Sequence, residues 1–157
     1  MLHQQINIVT LIVPKDITGA AQTSPWLSLK NYRNCDIYIT QAAWAGGTPA
    51  VTVTQAKDLS GTDPKPLPFT TRYQQATNVG TGYTASDVTN NTFNLPNTAN
   101  QTHIISINAA TLDVDNGYDC LRLEIASPGA NADLLHAIAL LSGPRYADTV
   151  MPNALVA

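Results

Sequence analysis

Four stretches of the chain alternate apolar and polar residues with a period of two. In CDIYIT, Cys35, Ile37 and Ile39 share one face and Asp36, Tyr38 and Thr40 the other; in VTVTQ, Val51 and Val53 oppose Thr52 and Thr54. HIISIN sets His103, Ile105 and Ile107 against Ile104, Ser106 and Asn108, and CLRLEI sets Leu121, Leu123 and Ile125 against Arg122 and Glu124. Successive side chains of an extended chain point to opposite faces, so this period describes strands with one buried face. Residue usage agrees. Glu124 is the only glutamate in 157 residues, whereas Thr, Val, Ile and Tyr, which suit pleated surfaces better than helices, are plentiful.

Further strands are expected at residues 5–13, near Phe69–Tyr73 and near Val88–Leu95. The apolar run DLLHAIALLSG, from Asp133 to Gly143, suits a capped helix or a buried strand equally by periodicity; its strand neighbours tip the reading to a strand. Gly46 and Gly47 in WAGGTP can take positive φ, which makes residues 34–57 a β-hairpin on this reading. Residues 60–101 run through DPKPLPF into Thr, Asn, Gly and Tyr with few aliphatics, a loop-rich excursion of the kind that serves binding. The expected fold is all-β: a two-sheet, jelly-roll-like sandwich of about eight strands with long loops. It forms one domain over 1–157, with residues 145–157 as an extended C-terminal tail.

LDVDNGYDCLRLEI places Asp113, Asp115, Asp119 and Glu124 where an EF-hand loop has ligands, but the sixth position, which needs glycine, is Tyr118. VDNG is therefore read as a turn feeding the strand at 118–125. The strand parity puts Cys35 inward and Cys120 with the outward Arg122 and Glu124, so free thiols are expected. His3, His103 and His136 share no short ligand spacing, and no nucleophile elbow, phosphate loop or zinc-protease motif occurs. No catalytic residue, metal or cofactor is assigned.

Only 12% of residues are charged, against about 25% in an average domain. A surface of neutral amides and hydroxyls exchanges water for a partner without the desolvation cost of ions, so it suits permanent association. The eight Lys and Arg residues are scattered singly in a chain of net charge −3, which argues against nucleic-acid binding. INIVTLIV lacks the flanks of an export signal and the length of a membrane span, which points to folding in a cytoplasm. Trp26, Trp44, Tyr83 and Tyr146 flank turns, where aromatic side chains either cap the sandwich or anchor a partner.

WLSLKNYRN (26–34), PAVTVTQAKDLSGTDPKPLPF (49–69), LDVDNGYDCLRL (112–123), SPGANADL (127–134) and LSGPRYA (141–147) resemble the small structural proteins of tailed-bacteriophage virions. The resemblance implies a capsid decoration, or cement, protein on the head surface. Its partners would be the major capsid protein and further copies of itself, as a dimer or trimer. Contacts are then expected from residues 1–5, the loop 74–101 and the C-terminal tail, with Trp26, Trp44, Tyr83, Arg145, Tyr146, Pro152 and Leu155 as candidate anchors. A tail or receptor-binding accessory recognising host carbohydrate is the alternative, and a calcium-dependent or hydrolytic β domain a third.

Overall fold

A computed structural model describes residues 5–75, 82–145 and 153–155. The strands are β1 (Ile6–Asp16), β2 (Gln22–Thr23), β3 (Leu27–Ser28), β4 (Tyr32–Trp44), β5 (Ala50–Ala56), β6 (Lys65–Pro66), β7 (Thr71–Gln75), β8 (Thr84–Asp87), β9 (Thr92–Asn94), β10 (Gln101–Asn108), β11 (Cys120–Ile125) and β12 (Asp133–Pro144). Two single-turn 3-10 helices, Ala109–Thr111 and Val114–Asn116, lie between β10 and β11. Sheet A has the order β1-β12-β4-β10-β7-β8, and sheet B the order β2-β11-β5-β6, with β3 also on β11 and β9 also on β5.

The pairing is nested. β1 pairs β12, β2 and β3 pair β11, β4 pairs β10 and β5 pairs β9, all antiparallel. One long hairpin has been rolled so that its successive rungs fall alternately in the two sheets, which is the jelly-roll wrap. The roll closes when β12 also pairs β4 and β11 also pairs β5.

The period-two segments supply the core between the sheets. Cys35, Ile37, Ile39, Val51, Val53, Ile105, Leu121, Leu123 and Ile125 are all essentially inaccessible. β12 adds Leu135, Ala137, Ala139 and Leu141, which settles DLLHAIALLSG as a strand. Tyr32 is fully buried, and its hydroxyl accepts from Asn7 Nδ2 at 3.0 Å. The strand expected at 5–13 spans Ile6–Asp16, and that expected near Val88–Leu95 is confined to Thr92–Asn94. The short strands β2, β3, β6 and β8 add to those expected from the sequence.

The expected hairpin at 34–57 does not form. β4 and β5 lie in different sheets, and residues 45–49 cross between them as an arch. Both strands bury one face, and that pattern is satisfied equally by pairing side by side or by facing each other across a core. The loop before β12 decides. Asp133, fully buried, accepts from the backbone N–H of Ala45 at 2.6 Å and of Gly46 at 3.3 Å. Gly47 has φ +80°, and a Cβ there would lie 2.8 Å from the Pro128 carbonyl oxygen. The glycines thus serve a close approach of two backbones.

The turn read at VDNG forms: Val114–Asn116 is a single 3-10 turn closed by Gly117 at φ 84°, and the strand starts at Cys120. Asp113 there pairs with Lys65 and accepts from Asn116 at 2.8 and 2.9 Å. Lys65 first, then Asn116, hold its carboxyl below the usual range.

Asp133→Ala strands two backbone donors, one of them on buried Gly46. A loss of about 2–4 kcal/mol is expected, read as a lower urea midpoint at unchanged m-value.

Candidate interaction surfaces

The two sheets present chemically different outer faces. On sheet B the outward positions include Thr52, Thr54, Arg122 and Glu124, all partly exposed. Arg122 pairs with Glu124, and the other ion pairs among the described residues, Lys57–Asp63 and Lys65–Asp113, lie on or beside this sheet. One end of this face carries a small second core of Trp26, Ala56 and Cys120, with Leu59 packed on it. The loop over it is shaped by Asp58, which accepts from Ser60 N, Thr62 N and Thr62 Oγ1 at 2.9, 3.1 and 2.6 Å.

Sheet A turns a different face outward. Register places Thr10, Ile138, Tyr38, Ile104 and Tyr73 in one row across β1, β12, β4, β10 and β7. The next row holds Ile8, Leu140, Asp36 and Ser106. Ile8 is 63% exposed and Tyr73 41%. The ion pairs of the described residues leave this face untouched.

The candidate anchors scatter over this frame. Trp26 is buried, its indole covered by the Arg122 guanidinium 4.5 Å from the ring and by Gly61, where a Cβ would come within 2.4 Å of Nε1. Trp44 is half-buried against the main core, and its Nε1 donates to Gly47 O at 3.2 Å. Both tryptophans therefore cap the sandwich. Tyr83 is 47% exposed and lies close enough to Tyr38 to add, after burial and Asp36, to the upward push on the Tyr38 phenol. Arg145 is exposed at the rim of an open groove of about 810 Å³, lined also by Arg33, Pro144, Asp113 and Asp115. Leu155 is exposed beside Ile8 and Thr10 of β1, while Ala154 is buried and its carbonyl accepts from Ser28 N at 2.8 Å. That much of the tail is docked on β3. Tyr146 and Pro152 lie outside the described residues, as do residues 1–4 with His3.

The exposed apolar members of sheet A escaped the choice of anchors, which favoured aromatic side chains at turns. A signal was present. A strand reading of DLLHAIALLSG leaves Leu134, Ile138 and Leu140 opposite to Leu135, Ala137, Ala139 and Leu141, so it is apolar on both faces, the pattern of a strand covered on both sides.

Polar chemistry in the interior gathers around His103, which is fully buried. Gln41 donates through Nε2 to Pro96 O at 3.0 Å, which turns its Oε1 toward His103 Nε2 at 2.7 Å. Nε2 is then the donor and Nδ1 the acceptor, facing the Arg72 guanidinium at 3.2 Å. Arg72 also lies 4.7 Å from the Phe93 ring centroid. Among the described residues no buried nitrogen or oxygen of this cluster lacks a partner, so the cluster reads as a structural core rather than an open site. The thiols of Cys35 and Cys120 are both free and buried, on opposite faces of their sheets; burial, with Asp119 beside it, pushes Cys120 up to about 12. Among the described residues no three His, Cys, Asp or Glu side chains come together to hold a metal, and no helix is long and apolar enough to cross a membrane.

No family model matches the chain, and no curated protein matches it by sequence. Among solved structures, the crystal structure of the SPBc2 prophage-derived protein YomS superposes with a TM-score of 0.50, covering 88% of this chain and 93% of that one at 8% identity. The two chains share a fold across nearly their whole lengths.

Burial first, then Arg72, lowers the His103 pKa from 6.5 to about 4. The unfolded chain therefore takes up a proton that the folded one refuses. The stability His103 confers is complete above pH 6.5, falls as pH drops through the window from 6.5 to 4, and levels off below. A loss of about 2 kcal/mol is expected between pH 7 and pH 5, measured by urea unfolding, and His103→Gln removes that part of the slope.

Proposed function

We propose that the protein is a structural component of a tailed-bacteriophage virion: a cement that binds across seams between major capsid protein subunits on the head surface and stabilises the shell. The observation that carries this reading is the surface. With 12% charged residues and exposed apolar side chains at Ile8, Val13, Tyr73, Tyr83, Leu134 and Leu155, the domain can bury much of its exterior without desolvating ions. The phage assignment is supported by the jelly roll shared with a prophage-derived protein.

In this reading the protein does no chemistry. Its work is mechanical: copies that each grip the lattice modestly combine, through multivalency, into a tie against the pressure of packaged DNA. Arg145 and Leu155, exposed at the groove rim and on the docked tail, are assigned to the capsid, with the segments around them.

A second reading draws on Tyr73 and Tyr83, exposed near Tyr38. Aromatic faces of this kind stack on sugars, and a tail accessory that binds host carbohydrate would display them.

Copy number separates the two. Quantitative mass spectrometry of purified virions is expected to give a ratio to the major capsid protein near one or a simple fraction of it, and particles lacking the protein are expected to release DNA at lower temperature. A handful of copies per particle overturns the head assignment in favour of the tail.

A further inference from the structure

We propose that the outer face of sheet A is a homodimer interface, across which a second copy of the chain packs sheet to sheet about a two-fold axis. This inference stands on the face itself and not on the capsid role.

A sheet with one face in water carries polar residues there. Sheet B obeys that rule through Thr52, Thr54, Arg122 and Glu124. Sheet A breaks it, and at its centre: the row Ile138–Tyr38–Ile104–Tyr73 crosses four adjacent strands without a charge, and Leu140 and Ile8 continue the apolar surface beside it. Leu134, on the outward parity of β12, is 42% exposed.

The extent of the face matches what a stable dimer buries. Five strands at the usual ~4.8 Å spacing, over about eight residues of ~3.3 Å each, give a footprint of ~600 Å² before side-chain relief is counted. Standard stable interfaces bury about 800 Å² per partner, including that relief. Side chains the size of Ile and Tyr fill the ~10 Å gap between two facing sheets.

The charge pattern is self-complementary. Asp36 is the one acid among the outward positions of β4, β10 and β12, and it stands two residues to one side of Tyr38. Thr40, two residues to the other side, is opposite His136 in register. A two-fold axis along the Ile138–Tyr38–Ile104 row lays Asp36 of one copy over the Thr40 and His136 row of the other. Asp36, the carboxylate nearest the centre of the face, thereby meets a hydroxyl and an imidazole and avoids its own image, the arrangement an isologous contact requires.

The test is light scattering coupled to size exclusion, with sedimentation equilibrium, on the full chain from about 1 to 100 µM. Wild type is expected at twice the 16.7 kDa chain mass. Ile104→Lys is expected to weaken dimerisation at least 100-fold, and Ile8→Lys, at a position already 63% exposed, at least tenfold with an unchanged circular dichroism spectrum. Thr54→Lys, on the outer face of sheet B, is expected to leave the dimer intact. Should Ile104→Lys fail to fold, Ile8→Lys decides. A monomeric wild type at 100 µM overturns the proposal, as does a dimer indifferent to Ile8→Lys. So does a monomer whose capsid binding is lost in Ile8→Lys, because the face then belongs to the capsid protein.

Discussion

Closure of the roll depends on one strand. β12 lies between β1 and β4, pairing Ile8 with Leu140 on one side and Tyr38 with Ile138 on the other. As the last strand it pairs with the first, across well over a hundred residues, and until it is placed β1 has no neighbour among the described strands. Contacts at such separation carry a large loop-closure cost and form late, so the sandwich belongs among slow-folding β topologies. Asp133, at the start of β12, reaches to the arch after β4. The last strand thus also fixes the crossing from one sheet to the other.

Alternation along single strands made most of the fold legible before any coordinates. It assigned the inward faces of β4, β5, β10 and β11 and set Cys35 and Cys120 on different faces. It could not tell a hairpin from an arch, because Val51 and Val53 need a core and do not specify which sheet supplies it. That choice rests on Asp133 and Pro128, some eighty residues beyond the arch, and no local pattern reports such a contact. The candidate contact residues were less legible for a related reason. Trp26 sits near a turn and looks available, yet Gly61 and Arg122, distant in sequence, cover it. The outer face of sheet A was written in plain view, but only a strand reading of 133–144 that follows both parities brings it out.

The interior and the exterior handle polarity in opposite ways. Inside, Arg72, His103 and Gln41 form a chain of hydrogen bonds that ends on the Pro96 carbonyl, and a buried network of that kind favours a single packing over near alternatives. Outside, the ion pairs of the described residues gather on or beside sheet B. The two outer faces consequently differ, ion-paired on sheet B and apolar at the centre of sheet A, the face that β12 helps to build.

Nested pairing also bears on how such a chain can change over generations. The segment between β5 and β9, described at residues 57–75 and 82–91 and carrying β6, β7 and β8, lies inside every rung at the tip of the rolled hairpin. Lengthening the loops between its strands leaves the order of the β1–β12, β2–β11 and β4–β10 rungs intact, whereas a one-residue insertion within a rung displaces all side chains beyond it to the wrong face. The loops of this tip are therefore the natural site of lineage-specific novelty, and the rungs are where descent constrains hydrophobic pattern while letting the residues themselves drift.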